Sequence, residues 1–170
     1  GFSFRNIEPL DMRFDRTRDT ETAASIINSW PEESIARIIY EFGEERYSRR
    51  IAKEIVVSRK KQRILTTDKL VGIISKAVPR KQKGMHVATR TFQALRIAVN
   101  SELENVEKGI TDAINLLSTG GRVAAISFHS LEDRRVKQIF KGSPDIGVLT
   151  KKPVTPSDEE IHGNPRARSA

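Results

Sequence analysis

One spacing constrains the fold of this chain more than any other feature. Phe92, Leu95, Val99, Leu103, Val106, Ile110, Ala113 and Leu117 follow one another by threes and fours without a break. Each helical residue turns the chain by about 100°, so this period lays them all along one face of a helix. The spacing predicts one continuous helix over residues 89–117, ~43 Å long at a rise of about 1.5 Å per residue. Gly120 and Gly121 are placed to end it. Shorter pieces of the same period come before it. Thr20 is expected to cap a first helix reaching Asn28, packed through Ala23, Ala24, Ile26 and Ile27. Pro31 suits the first position of a second helix that runs to Phe42 and stops at Gly43. A third is expected over residues 44–60, with Tyr47, Ile51 and Ile55 on one face. Thr66 or Thr67 caps a fourth, carrying Leu70, Val71, Ile73, Ile74 and Val78 and ended by Pro79.

These helices do not share charge evenly. The 170 residues carry a net charge of +8. Residues 46–96 hold 15 basic side chains against Glu54 and Asp68 alone, a net +13; residues 1–45 are net −5 and residues 97–170 are neutral. A block of that sign repels itself and attracts phosphates. Arg46, Arg49, Arg50, Lys53 and Lys60 are expected on the third helix, opposite its apolar side, and Arg80, Lys81, Lys83 and Gly84 form a basic loop. The bland reading is a solvated lysine-rich face; the scarcity of acids favours nucleic acid. Thr89, Gln93, Arg96 and Asn100, with Arg90 beside them, make a polar stripe on the long helix. Such a stripe suits RNA contact or polar contact between domains equally well. Cysteine is absent, which excludes disulfides and thiolate chemistry in these residues. No apolar run approaches the roughly 20 residues that span a bilayer.

The remainder reads as α/β. RVAAISF, residues 122–128, is a short apolar run of the kind buried on both faces of a parallel sheet. His129, Ser130, Glu132 and Asp133 follow it directly, at the end of the strand where ligands sit in open α/β sheets. Ser130 is also placed to cap the next helix, with Asp133 completing a capping box and His129 bonding to backbone. The local pattern favours this structural role. Residues 146–151 are a second strand candidate, 155–160 a short helix, and 164–170 an extended or turn segment. His86, His129 and His162 stand at no metal-ligand spacing, so no metal is expected.

Several stretches together resemble one family. They are GFSF (1–4), PLDMR (9–13), YEFGEER (40–46), Ile51-Ala52, His86 with ATRTFQALRIAVN (88–100), GGR (120–122), ISFHSLEDR (126–134), KKP (151–153) and NPRARSA (164–170). In this order they resemble the 16S rRNA (cytosine-N4)-methyltransferases, the RsmH or MraW family. The resemblance implies a class I, Rossmann-like methyltransferase fold with an inserted all-helical substrate-binding domain. It also implies methyl transfer from S-adenosylmethionine to N4 of a cytidine in the decoding region of small-subunit rRNA. Residues 1–19 then correspond to the edge of the methyltransferase domain and 20–88 to the RNA-engaging helical insert. Residues 89–170 correspond to the long helix and the C-terminal part of the catalytic domain.

The departures are as informative. The family's Gly-rich loop, its acidic residue after the second strand and its motif resembling Asp-Leu-Gly-Val-Ser-Ser do not occur here. Residues 122–128 and 146–151 would be strands 5 and 6 of the fold, and their neighbours, strands 4 and 7, are missing. Two non-adjacent strands leave their backbone groups unpaired and their apolar faces open. The chain starts at Gly1 and not at Met. The expectation is therefore the C-terminal part of a longer bacterial cytoplasmic or mitochondrial enzyme, mostly helical, inactive alone and unable to bind S-adenosylmethionine alone. Its partners would be 30S rRNA and its own N-terminal half, with no membrane. His129, Ser130, Glu132 and Asp133 would support the pocket. Arg46, Arg49, Arg50, Lys53, Lys60, Arg90, Gln93, Arg96 and Asn100 would touch RNA. A non-catalytic RNA-binding or ribosome-assembly module is the alternative. A basic helix-turn-helix DNA binder is disfavoured, since it would need neither the long seam nor HSLED.

Overall fold

The computed structural model describes residues 2–4, 6–17, 19–79, 85–150 and 152–169, without the side chain of Ser169. Two compact units divide the chain at Ser101 and Glu102. The first carries α1 (Ala23–Ser29), α2 (Glu32–Glu41), α3 (Ser48–Lys61), α4 (Thr67–Ala77) and α5 (Thr89–Asn100). The second carries α6 (Glu102–Asn115), α7 (Ser130–Gly142), α8 (Asp158–Gly163) and a closing 3-10 turn, Pro165–Ser169. No helix is long and apolar enough to cross a membrane among the described residues.

In the first unit the starts of α1 and α3 are set by local hydrogen bonds. Thr22, not Thr20, caps α1: its Oγ1 accepts from the Ser25 N–H at 3.0 Å while the Ser25 Oγ accepts from the Thr22 N–H at 2.8 Å. This reciprocal box satisfies two donors that Thr20 cannot reach. The next free donors of α1, the N–H groups of Ala23 and Ala24, bond to the carbonyls of Asp11 and Leu10 at 2.8 and 2.7 Å. The N-terminal segment is thus docked by the helix end. It is held on its other side by buried Thr67, whose Oγ1 donates to the Asn6 carbonyl at 2.6 Å and accepts from the Glu8 N–H at 3.0 Å.

The third helix starts at Ser48, four residues later than its apolar pattern suggests. Glu44 takes a left-handed conformation with φ 49°. The carboxylate of buried Glu45 then accepts the Tyr47 N–H at 2.8 Å, and its carbonyl accepts the Ser48 N–H. Gly43 lies where the end of α2 meets the start of α5. A Cβ there would lie 2.5 Å from the Arg90 carbonyl oxygen and 2.6 Å from that of Ile39. The glycine that sequence marks as a helix stop is therefore demanded by close backbone approach.

Leu10, Met12, Ile26, Ile27, Ile35, Ile39, Ile51, Ile55, Leu70, Ile74, Phe92 and Leu95 form one core. Asn28 bridges α1 to the loop after α3. Its Nδ2 donates to the Ile64 carbonyl at 2.8 Å and its Oδ1 accepts the Ile64 N–H at 2.9 Å.

The continuous helix over 89–117 is not formed. Ser101 is left-handed, with φ 47° and ψ 44°, and its N–H closes the last turn of α5 on the Ile97 carbonyl. The side chain of Asn100 explains the stop. Its Nδ2 donates to the Met12 carbonyl at 2.8 Å and to the Arg96 carbonyl at 2.9 Å, while its Oδ1 accepts the Phe14 N–H at 2.8 Å. Asparagine bonding to backbone competes with helix continuation. The apolar seam survives on each side of the break but serves two units.

The sheet is also not formed. Residues 122–128 and 146–150 are irregular, and no strand pairs with them among the described residues. Ile126 is 76% exposed, Phe128 58% and Leu149 75%. Apolar β-forming sequence without a neighbouring strand gains neither ladder bonds nor burial. The mostly helical character expected of this stretch is what the described residues show, and the two strand candidates, expected to lack their neighbours, form no sheet among them. The cap of α7 is corrected: it is His129 and not Ser130. Residues expected as a terminal turn do form one, the 3-10 turn at the end.

Candidate functional site

Along α3 the apolar face is Ile51, Ala52 and Ile55, buried in the core, and Arg46, Arg49, Arg50, Lys53 and Lys60 are exposed. These cations differ in their surroundings. Lys60 sits in the last turn with Arg59 and Lys61, where positive charge complements the negative end of the helix. Arg59 is spent on structure, donating from Nη1 to the Ile27 carbonyl at 2.7 Å and so closing the end of α1. Arg49 and Arg50 lie in the first turn, which contains no acid. Cations there face the positive end of the helix dipole, at a cost of about 0.3–1 kcal/mol each. Among the described residues no carboxylate comes within ion-pair distance of Arg46, Arg49, Arg50 or Lys53. Among the described residues, the buried acid at this end of α3 is Glu45, which is engaged by the Tyr47 N–H and not by these cations.

Tyr47 joins these cations, a residue that sequence reasoning assigned only to packing. Its ring is half-buried against the core. The Arg46 guanidinium lies 4.8 Å from the ring centroid and the Arg50 guanidinium 5.9 Å. The signal was present in the sequence: positions 47 and 50 are neighbours on a helix surface.

The polar stripe of α5 turns inward. Gln93 donates from Nε2 to the Phe42 carbonyl at 3.1 Å, and Arg90 from Nη1 to the Glu44 carbonyl at 3.0 Å. Asn100 holds residues 12–14, as described. Arg96 is half-buried and also has a partner. Gln93 and Arg90 thus hold the turn at residues 42–44, and Asn100 holds the 12–14 segment. The basic loop expected at residues 80–84 lies outside the described residues. Beside Asn100, Asp11 accepts a forked pair from Arg13, Nε to Oδ1 at 2.7 Å and Nη2 to Oδ2 at 3.0 Å. That pairing holds the Asp11 carboxyl below the usual carboxylate range, against a smaller opposing effect of burial.

In the second unit, His129, Ser130, Glu132 and Asp133 form the first turn of α7. The Nδ1 of His129 accepts from the Glu132 N–H at 3.3 Å, and Glu132 returns a bond by accepting the Phe128 N–H at 2.8 Å. Asp133 pairs with Lys137 at 2.7 Å on the outer face. Glu102, from the start of α6, completes a group in which one donor atom each of Glu102, His129 and Glu132 lies within 4.8 Å of the others. Sequence spacing did not bring Glu102 here. The His129 Nε2 is buried without a hydrogen-bond partner, 3.5 Å from a Glu132 oxygen. The three residues have the composition of a cation site, and His129 also serves as the cap of α7. Beside them, Asn105, Val106, Gly109, Ile110, Ala125, Ile126, Glu132 and Val136 line a shallow, mainly apolar cleft.

Comparison with known proteins assigns the chain. The model of the MraW methylase family matches residues 1–170. The chain is 55% identical to the ribosomal RNA small subunit methyltransferase H of Synechocystis sp., over all of the chain and 55% of that relative. It is 52% identical to the protein of the same name from Deinococcus deserti and 50% identical to that of Persephonella marina. All of the chain is again covered, with 56% and 59% of those relatives. The chain thus spans little more than half the length of the curated relatives it matches. With a family model covering every residue and half of all positions identical to these relatives, the chain belongs to the MraW methylase family.

Proposed function

We propose that this chain is the RNA-engaging part of a methyltransferase that modifies N4 of a cytidine in small-subunit rRNA, with S-adenosylmethionine as methyl donor. One observation supports the RNA part most directly. Arg49 and Arg50 stand exposed in the first turn of α3 with no carboxylate within ion-pair distance among the described residues, and an unpaired cationic cluster at the positive end of a helix suits an anionic partner. The names of the relatives, ribosomal RNA small subunit methyltransferase H, point to rRNA as that anion.

Residues 20–88 are the proposed helical insert. Arg46, Arg49, Arg50 and Lys53 are its proposed phosphate contacts, with Lys60 at the far end of the same helix. Arg90, Gln93, Arg96 and Asn100 are proposed as further RNA contacts, with Arg90 and Gln93 also holding the turn that precedes α3. Residues 1–19 and 89–170 are the proposed edge and C-terminal part of a class I methyltransferase domain. The remaining partners are the 30S subunit and the other half of the same enzyme, in the bacterial cytoplasm.

The residues present do not fit S-adenosylmethionine. Among the described residues no Gly-rich loop joins a strand to a helix. The cleft beside α7 is mainly apolar, and its one carboxylate, Glu132, is already engaged by the Phe128 N–H. No step through the donor is therefore assigned to this chain. N4 of cytosine is a weak nucleophile because its lone pair is delocalised into the ring, so its methylation depends on holding and orienting the base. His129, Ser130, Glu132 and Asp133 are proposed as support for that pocket, since their turn is braced by its own reciprocal bonds.

The test is binding of a small-subunit rRNA oligonucleotide to the full chain across a salt series. Affinity is expected to fall steeply, by roughly 0.7 log units per phosphate contact for each log unit of salt. An affinity independent of salt would exclude the proposed cationic interface. Calorimetric titration with S-adenosylmethionine is expected to give no saturable heat; micromolar binding would overturn the division of labour.

A further inference from the structure

We infer that the α3 end of the cationic face reads unpaired RNA and not merely charge, through the Arg46–Tyr47–Arg50 cluster. This rests on the RNA-binding reading above and narrows it to a single-stranded segment. The Tyr47 ring is held by the core, so it is a rigid support. The Arg46 and Arg50 guanidinium groups lie 4.8 and 5.9 Å from its centroid. Both residues are exposed, and neither is drawn away by a carboxylate among the described residues. Stacking on an aromatic ring orders a guanidinium group that would otherwise sweep freely through solvent.

An ordered, exposed guanidinium plane does two things. Its flat face stacks on an unstacked base, and its N–H edge forks to a phosphate. A duplex offers the second contact but not the first, because its bases are already stacked and paired. Arg49 and Lys53, exposed on the same stretch of α3, supply charge without an aromatic support. The cluster thus combines a backbone-tracking cationic face with a stacking platform, the pairing used by proteins that hold single strands. Lysine at positions 46 and 50 would keep the charge but lose the plane.

The experiment compares a short single-stranded oligoribonucleotide with the same sequence in a blunt duplex. Both are bound to the full chain and to its R46K/R50K variant by fluorescence anisotropy at one salt concentration. The unaltered chain is expected to favour the single strand by about tenfold, in line with the worth of one stacked base. The variant is expected to lose that preference while its duplex affinity falls less than its single-strand affinity, since lysine still meets a phosphate as a point charge but offers no plane to a base. Equal affinity of the unaltered chain for both RNAs overturns the inference, as does a lysine variant that keeps the preference. Binding to neither RNA removes the RNA-binding reading itself, an outcome distinct from loss of the strand preference alone. Both arginines are exposed, so the substitutions leave the core intact.

Discussion

The two units of this chain use apolar residues in opposite ways. In residues 2–101 five helices surround an unbroken core in which Ile27, Ile35, Ile39, Ile51, Ile55, Leu70, Ile74 and Leu95 are fully enclosed. Among the described residues of 102–169 the buried apolar side chains are Leu103, Ile114, Leu131 and Ala167, while Ile126, Phe128, Leu149 and Val154 face solvent. The apolar residues are present in both. What differs is the partner each needs. A helix completes its backbone bonds internally and asks only for a face to pack against. A β-forming segment must borrow its bonds from a neighbouring strand, and without one its side chains stay exposed.

That contrast predicts unequal sensitivity to mutation. Ile74→Ala is expected to destabilise the first unit by about 3 kcal/mol, the cost of a large core truncation. Ile126→Ala is expected to change stability by less than about 0.5 kcal/mol. Urea unfolding followed by the fluorescence of Trp30, the single tryptophan of the chain, reads the first unit; far-ultraviolet circular dichroism reads both. Similar losses from the two substitutions would break the comparison.

Gly43→Ala comes next, at about 2 kcal/mol, because its methyl group must displace two backbone carbonyls that no rotamer change can move. Its unfolding midpoint is the measurement. Loss of binding to RNA in the same variant, at a temperature where it is folded, would show that the 42–46 turn also sets the cationic face.

Asn100→Ala removes the bonds to Met12 and Phe14 and is expected to cost about 1–2 kcal/mol. It also removes the competitor that stops α5. A gain in helical signal would show that the break at Ser101 depends on this side chain; an unchanged signal would locate the cause elsewhere.

The smallest effect concerns acid. The Asp11 carboxyl is held below its ordinary range by Arg13, so its contribution is present above that range and is lost as pH falls through the lowered value. Asp11→Asn is expected to cost about 0.5 kcal/mol at neutral pH. The gap from the unaltered protein should close in acid, as seen in melting temperatures over a pH series. A gap that widens in acid would reverse the sign assigned to this pair.

Much of the first unit was legible. Apolar periodicity located all of its helices, because amphipathic spacing is a property of single segments. Their starts were less legible. Thr22 displaced Thr20 because the reciprocal partner, Ser25, exists only at that spacing. Glu44 was lost from α3 because Glu45 bonds more profitably to the helix end than within it. The candidate face on α3 was legible as charge, but the support under it was not. Tyr47 looked like packing, and its role depends on where two guanidinium groups settle. Gln93 and Asn100 suited RNA contact or polar contact between domains equally well by sequence, and only the fold showed that they bond to carbonyls distant in the chain.

The sequence by itself determined the helices of the first hundred residues, the segregation of positive charge into residues 46–96, and membership of a family. Each is a property of residue order, and none depends on what lies beside it. Tertiary structure alone decided that the apolar seam is cut at Ser101, that Gly43 must have no side chain, that Glu102 meets His129, and that two strand-like segments stay irregular. The physical reason is the same in all four. Each depends on a backbone or side-chain group brought in from elsewhere, or on the lack of one, and spacing along the chain carries no record of that.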